Sequence, residues 1–203
     1  MKDLRGYLYP EEVEKIISSA KNPRDKLLLR LLWVTGCRIS ELVGEIIKKT
    51  VGEKVESKVV ARGLHVSNID FRDGVVILET LKRKKPHGRR VPIDIETQRM
   101  LENYISGYEI KGKLFNITRQ RVYQILRETG KKAGIVKVGD NKLHPHHLRH
   151  SHCVAWVRAD PTMEGLRKLQ RRVGHASIAT TALYLQFAES GEDVEKVFGG
   201  KKE

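Results

Sequence analysis

The chain has 203 residues, of which 39% are hydrophobic and 32% charged, and its formal net charge is +14. These proportions are typical of a folded globular protein and exclude an intrinsically disordered chain. The excess of cations favours a polyanionic partner over a merely basic surface, with nucleic acid the first choice and an acidic membrane surface the second.

The first part of the chain is predicted to be helical. Pro10, followed by two acids, opens a first helix, because proline suits the first turn and acids complement the helix dipole. Pro23 opens a second helix, whose dense leucines predict deep burial, and Thr35-Gly36 ends it. Arg38 follows at once, so the sequence predicts a cation held at the junction of two helices, where it can face a cleft.

The middle of the chain changes character. Residues 48–63 are polar and rich in lysine, and they are predicted to form an insertion or a long loop. Three short strands are predicted after it, at 64–71, 75–80 and 89–95. A turn signal, Arg72-Asp73-Gly74, separates the first two, and Pro92 places the third at a sheet edge. A basic hairpin tip, residues 81–88, joins the last two strands.

The remaining part is predicted to be helical, with helices that begin at Thr118, Pro145 and Asp160. A further short helix covers 180–187. The predicted fold class is therefore mainly α with a small three-stranded antiparallel β-sheet (α+β). All of it is assigned to one domain, residues 1–203.

The two cysteines, Cys37 and Cys153, have neither metal-ligand spacing nor a disulfide framework, so both are predicted to be buried thiols. The sequence shows no apolar run that could span a bilayer and no secretory signal, which predicts a cytoplasmic protein with no membrane partner. Plentiful Lys, Arg and Glu with scarce Asn and Gln are typical of a thermophilic source.

The residues 144–152 contain five histidines and one arginine. His146 and Arg149 share a helix face, where a guanidinium and an imidazole can both address an anion, although a solvated basic face gives the same pattern. His146 and His150 also have the spacing of two metal ligands, but no carboxylate or cysteine lies nearby in sequence, so no metal is predicted. Taken singly, His175 fits a helix terminus and Tyr184 a half-buried core position.

Three segments together carry a family resemblance: TGCRISELVG at 35–44, HPHHLRHSHC at 144–153 and VGHASIATTALYL at 173–185. With the strand-hairpin-strand at 74–93, they resemble the catalytic domain of the tyrosine recombinases, the integrase and Xer-type site-specific DNA recombinases. The resemblance implies that domain's fold, double-stranded DNA as the partner and self-association into dimers or tetramers on DNA. It also implies a set of catalytic residues: Arg38, Lys82, His146, Arg149, His175 and Tyr184.

Each of these residues has an expected role. Tyr184 attacks the scissile phosphorus and forms a 3′-phosphotyrosyl bond, which conserves the bond energy and needs no cofactor. The two arginines stabilise the phosphate charge in place of a metal, and Glu41 supports them. His146 accepts the tyrosine proton, and His175 hydrogen-bonds a phosphate oxygen.

The leaving 5′-oxygen is expected to take its proton from a lysine on the basic hairpin. Counting forward from Gly74 favours Lys82, whereas counting back from Val91 favours Lys84. Lys82 is preferred because it ends a strand and is better fixed than a residue at the loop apex.

The chain departs from the family pattern in two places. The family's usual N-terminal DNA-binding domain is absent from 1–203, so the chain is either part of a longer protein or a minimal enzyme. The insertion at 48–63 has no assigned role. A type IB topoisomerase-like activity and a non-catalytic DNA-binding protein of the same fold remain the alternatives to a recombinase.

Overall fold

The computed structural model describes residues 6–51, 54–80 and 87–188. Its helices are, in chain order, α1 (Pro10–Ser18), α2 (Pro23–Thr35), α3 (Ile39–Val43), α4 (Ile95–Gly107), α5 (Arg119–Lys132), α6 (Pro145–Ala159), α7 (Met163–Val173) and α8 (Ile178–Ala182). Its strands are β1 (Glu45–Val51), β2 (Lys54–Ala61), β3 (Ile69–Asp70), β4 (Val75–Thr80), β5 (His87–Pro92), β6 (Lys137–Val138) and β7 (Asn141–Lys142). Two 3-10 segments cover Val66–Asn68 and Leu183–Phe187.

Helix α2 lies at the centre of the core and packs against α1, α4 and α6. Its leucines at positions 27, 28, 29, 31 and 32 are at most 1% exposed. The helix begins where the Asn22 side chain accepts a hydrogen bond from the Arg24 amide at 2.9 Å. It ends at Gly36, whose φ of +60° is the left-handed conformation that glycine adopts without strain. This ending sets the direction of the chain into Arg38.

The three-stranded antiparallel sheet is confirmed, with strand order β3-β4-β5 and Val76 paired with Val91. The predicted first strand, 64–71, is mostly wrong. Only Ile69–Asp70 pairs with β4, because Val66–Asn68 closes a 3-10 turn before the chain reaches the sheet. The predicted third strand, 89–95, also ends early, at Pro92, because Asp94 already caps α4.

The prediction of a long loop at 48–63 is wrong, because most of this segment belongs to the antiparallel hairpin β1–β2. Its lysines and apolar residues occur in adjacent pairs, such as Lys48-Lys49 and Val59-Val60, so the segment lacks the period of two that marks a strand. Glu45 ion-pairs with Arg119 at the start of α5, and a groove of about 900 Å³ lies between the hairpin and that helix. Ile46 and Val59, which are register partners, are 62% and 47% exposed beside it.

A smaller apolar cluster lies between α6 and α7, separate from the main core. It contains Cys153 and Val157 of α6 and Leu166, Leu169 and Val173 of α7, all at most 1% exposed. The cluster supports the 3-10 segment that follows α8. Both cysteines of the chain are free and buried, as predicted. Within the described part of the chain, no helix has the length and apolar character needed to cross a lipid bilayer.

Candidate active site

Arg149 lies on α6 and is buried, with 7% of its surface exposed. Its guanidinium donates to the carbonyl oxygens of Gly36 at 2.6 Å and Val173 at 2.9 Å. These carbonyls terminate α2 and α7, where the partial negative charge of a helix end favours a cation. Arg149 therefore has a fixed position, set by the ends of two helices that are remote in sequence.

Arg38 precedes α3, and its backbone amide donates to the Glu41 carboxylate at 2.7 Å. Glu41 is only 2% exposed and also accepts two hydrogen bonds from Arg89 on β5, at 2.5 and 2.9 Å. Burial alone would lower the pKa of Arg89, but the Glu41 carboxylate outweighs it and raises that pKa. Glu41 thus fixes the Arg38 backbone and neutralises Arg89, which the sequence analysis did not single out.

His146 lies in the first turn of α6, on the same helix face as Arg149, and its side chain is exposed. Desolvation of the ring and the charges of Arg149, Arg38 and Arg119 lower its pKa. A phosphate that approached these cations would therefore meet a neutral imidazole at neutral pH.

His175 follows Gly174, whose φ of +70° ends α7. Its Nδ1 lies 3.0 Å from the hydroxyl oxygen of Thr181, a buried residue of α8. Burial, followed by the charges of Arg149 and Arg38, lowers the pKa of His175 to about 4. The ring is therefore neutral at pH 7, and a hydroxyl that donates to Nδ1 leaves the Nε2 hydrogen free to bind an anion.

Tyr184 lies on the 3-10 segment Leu183–Phe187 and is half-buried. Its hydroxyl oxygen is 3.3 Å from Nδ1 of His150, and the two ring centroids are 5.2 Å apart. The His175 ring is nearly parallel to the tyrosine ring, at 8° and 6.3 Å. Burial and the neighbouring Cys153 thiol raise the pKa of Tyr184, although Arg149 opposes them. The phenol is therefore protonated at neutral pH and needs a proton acceptor before it can attack.

The Tyr184 segment is held in place by the opposite end of the chain. Arg158 donates to the Phe187 carbonyl oxygen at 3.0 Å and to the Tyr7 hydroxyl at 2.6 Å. The Tyr7 and Phe187 rings meet edge to face at 5.4 Å. The amide of Leu8, next to Tyr7, donates to the α6 side chain of Ser151 at 2.7 Å. The residues before α1 thus pack against the segment that bears Tyr184.

The histidine run divides into three kinds of position. His144 and His147 stack at 3.8 Å, and Nδ1 of His147 accepts the His144 amide hydrogen at the start of α6. His152 is buried between Trp33 and Trp156, with ring distances of 6.0 Å to each. The two remaining histidines face the anion site and Tyr184. Among the described residues, no three His, Cys, Asp or Glu side chains are grouped so that they could hold a metal ion.

Five of the six predicted site residues lie together. Arg149 is central, since its charge acts on Arg38, on His146, on His175 and on Tyr184. The sixth, Lys82, falls in 81–86, outside the described residues, as does its alternative Lys84. Sequence reasoning missed His150, Arg89 and Thr181, and only the position of His150 beside the H-x-x-R motif gave any signal.

The chain is similar to known proteins in both sequence and fold. The sequence pattern of the phage integrase family matches residues 60–190, well over half of the chain. The tyrosine recombinase XerA of Saccharolobus solfataricus is 29% identical over 173 residues, which cover 85% of this chain and 49% of that protein.

Two solved structures share the fold. The XerH site-specific recombinase bound to a palindromic difH substrate, in a post-cleavage complex, has a TM-score of 0.70 at 21% identity; the match covers 98% of this chain and 54% of XerH. The catalytic domain of bacteriophage HP1 integrase has a TM-score of 0.63 at 23% identity, covering 95% of this chain and 94% of that domain. The fold is thus that of a tyrosine recombinase catalytic domain.

The chain spans about half the length of the curated relatives it matches first. The match to the family pattern nevertheless includes the helix with the H-x-x-R motif, the Gly174-His175 turn and Tyr184. On this evidence, the chain belongs to the phage integrase family.

Proposed function

We propose that this chain is the catalytic domain of a site-specific recombinase, which cuts and rejoins double-stranded DNA through a covalent bond to Tyr184. One observation carries the proposal. Two arginines, Arg38 and Arg149, and two neutral histidines are assembled from separate elements around a tyrosine whose hydroxyl has an imidazole beside it. Burial and then the charge of Arg38 lower the pKa of Arg149, so the two guanidiniums repel each other and an anion bound between them would relieve that repulsion.

In the proposed reaction, the two guanidiniums bind the non-bridging oxygens of the scissile phosphate and stabilise the charge that develops there. His146 lies at the open edge of the same cluster, and the free Nε2 hydrogen of His175 donates to a phosphate oxygen. The Tyr184 oxygen attacks phosphorus, the bond to the 5′-oxygen breaks, and Lys82 gives that oxygen a proton. Reversal of these steps by another 5′-hydroxyl rejoins the strands.

The proposal extends to the partners of the protein. Double-stranded DNA is the substrate, and copies of the chain associate as dimers or tetramers on it, as two exchanging duplexes require. The net charge of +14 supports a nucleic-acid partner. XerA and XerH, named above, are recombinases, and the XerH structure contains cleaved DNA. An enzyme with this substrate would work in the cytoplasm.

The test is covalent capture on a suicide substrate. A pool of duplexes with a randomised core carries a nick a few nucleotides from the cleavage position, so that the short 5′-hydroxyl fragment diffuses away after cleavage. Wild-type protein should form an adduct that survives denaturant, in buffer with excess EDTA, and sequencing of the captured DNA should give one preferred site. Tyr184→Phe should form none, whereas Tyr108→Phe, which changes an exposed tyrosine, should behave like the wild type.

The alternatives give different results. A topoisomerase-like enzyme would relax supercoiled plasmid and form adducts without joining strands between duplexes. A DNA-binding protein without activity would retard the duplex and form no adduct. An adduct that persists in Tyr184→Phe would show that the nucleophile is another residue.

A further inference from the structure

We propose that His150, rather than His146, takes the phenolic proton from Tyr184 when the tyrosine attacks. The inference rests on the proposed function, because it concerns the same site. It starts from one distance: Nδ1 of His150 is 3.3 Å from the Tyr184 oxygen. This is at the long end of a hydrogen bond, as is common for catalytic pairs before the substrate binds.

One face of α6 carries residues that can contact both the phosphate and the nucleophile. His146, Arg149, His150 and Cys153 follow one another at spacings of three, one and three residues, so they share one face of α6. His146 is exposed among Arg38, Arg149 and Arg119. His150 lies one turn further along, against the aromatic rings of Tyr184 and Phe187. The phosphate therefore lies nearer to His146, and the phenol lies nearer to His150.

Two groups compete for the single phenolic proton. Besides Nδ1 of His150, the Cys153 thiol interacts with the Tyr184 hydroxyl. Sulfur is a weak acceptor and an imidazole nitrogen a strong one, so the phenol donates to Nδ1 of His150 in preference to the thiol. This choice fixes the His150 tautomer, with the hydrogen on Nε2. Cys153 thus lies beside the phenol without removing its proton.

The charge environment of His150 suits a proton acceptor. Burial lowers its pKa, so the free base predominates at neutral pH. The titratable or charged groups around the pair are His147, Arg149 and Cys153 on α6, His175 after α7, and Tyr7 before α1. None of these described neighbours is a carboxylate. The incoming phosphate supplies the negative charge that stabilises the imidazolium once the proton has moved.

The step balances without a further reactant. The Tyr184 O–H bond breaks, and its proton goes to Nδ1 of His150. The oxygen forms a bond to phosphorus as the bond between phosphorus and the 5′-oxygen breaks. The leaving oxygen takes a proton from the general acid, and rejoining returns the His150 proton to the phenolate.

Single-turnover cleavage of the captured suicide duplex tests the assignment. General-base catalysis contributes roughly 10²–10⁴-fold, so His150→Gln should slow adduct formation by about 10²-fold or more at pH 7 while DNA affinity stays unchanged. Its rate should continue to rise with pH where the wild-type rate levels off. His146→Gln is the matched control, which should keep the pH midpoint of the wild type even if its rate falls.

Fluorinated tyrosine at position 184 gives the deciding comparison. A more acidic phenol needs less help from a base, so trifluorotyrosine should recover most of the activity lost in His150→Gln and little of that lost in His146→Gln. Rescue of His146→Gln alone would assign the proton to His146 and overturn the proposal. If the wild type forms no Tyr184-dependent adduct, the proposed function fails and the inference fails with it.

Nitrogen NMR of the wild-type protein provides a check that does not depend on the variants folding. At neutral pH, His150 of the wild type should show the neutral tautomer with its hydrogen on Nε2. A His150 that carries its hydrogen on Nδ1 cannot accept the phenolic proton, and this result would overturn the inference while leaving the proposed function intact.

Discussion

Acid should destabilise this protein through His152, a residue outside the proposed reaction. The ring is 7% exposed between two tryptophans, and it hydrogen-bonds the Trp33 carbonyl oxygen. Among the described residues, its Nε2 atom has no hydrogen-bond partner. A second ring proton would therefore be buried without an acceptor, close to Arg172 and Arg149. Burial, and then the Arg172 charge, lower the pKa of His152 from 6.5 to about 3.

The sign and size of the effect follow from proton linkage. Between pH 6.5 and 3 the unfolded chain binds a proton at His152 and the folded chain does not, so stability falls as the pH falls through this window. A pH of 5 lies about 1.5 units below the pKa of His152 in the unfolded chain and well above its pKa in the folded chain. At about 1.36 kcal/mol per unit, His152 alone costs about 2 kcal/mol of folding free energy between pH 7 and pH 5.

Urea unfolding at pH 7 and pH 5 measures this cost. His152→Phe keeps a ring between the tryptophans but loses the hydrogen bond to Trp33, so it should be less stable than the wild type at pH 7 by about 1–3 kcal/mol. Its further loss on going to pH 5 should be smaller than that of the wild type by about 2 kcal/mol. His152→Leu should show the same reduced acid sensitivity. Equal losses in the wild type and both variants would refute the assignment.

Three other measurements follow from the structure and the proposed reaction. Glu41→Gln leaves the Arg89 guanidinium buried without its carboxylate, so urea titration should show a loss of about 3–5 kcal/mol, and an unchanged midpoint would contradict the role of the pair. A bridging 5′-phosphorothiolate, whose sulfur leaves without a proton, should rescue cleavage by Lys82→Ala, with only a modest defect in Lys84→Ala; the reverse pattern would move the general acid to Lys84. Binding of residues 1–203 to a random duplex should weaken by about 10³-fold or more between 50 and 200 mM salt if six or more phosphates are contacted, and binding that does not weaken with salt would contradict an interaction dominated by phosphate contacts.

The helices were predictable because their signals are local. Pro23, Thr118 and Pro145 mark helix starts at the sequence positions where the structure has them, and Gly36 ends α2 as glycine usually does. The β1–β2 hairpin was not predictable by the same means. Ile46 and Val59 of the hairpin are exposed and the apolar residues stand in adjacent pairs, so the sequence lacks the alternation that normally marks a strand with one buried face.

The candidate site was predictable only in part. Its residue types are fixed by the chemistry of a phosphate and a nucleophile, and they stand in short motifs. What orients them has no sequence signal. The Arg149 partners are backbone carbonyls 113 and 24 residues away, and any residue type supplies a carbonyl. The approach of His150 to Tyr184 depends on how α6 packs against the 3-10 segment, which is a property of the folded chain.

The Arg158 contacts bear on how deletion experiments with this protein should be interpreted. A truncation that starts at Pro10 would keep α1 and every proposed catalytic side chain, yet it would remove Tyr7. Arg158 would then hold only the Phe187 carbonyl, and the segment that bears Tyr184 would lose its edge-to-face contact. Lost cleavage in such a truncation would therefore not show that the deleted residues touch DNA.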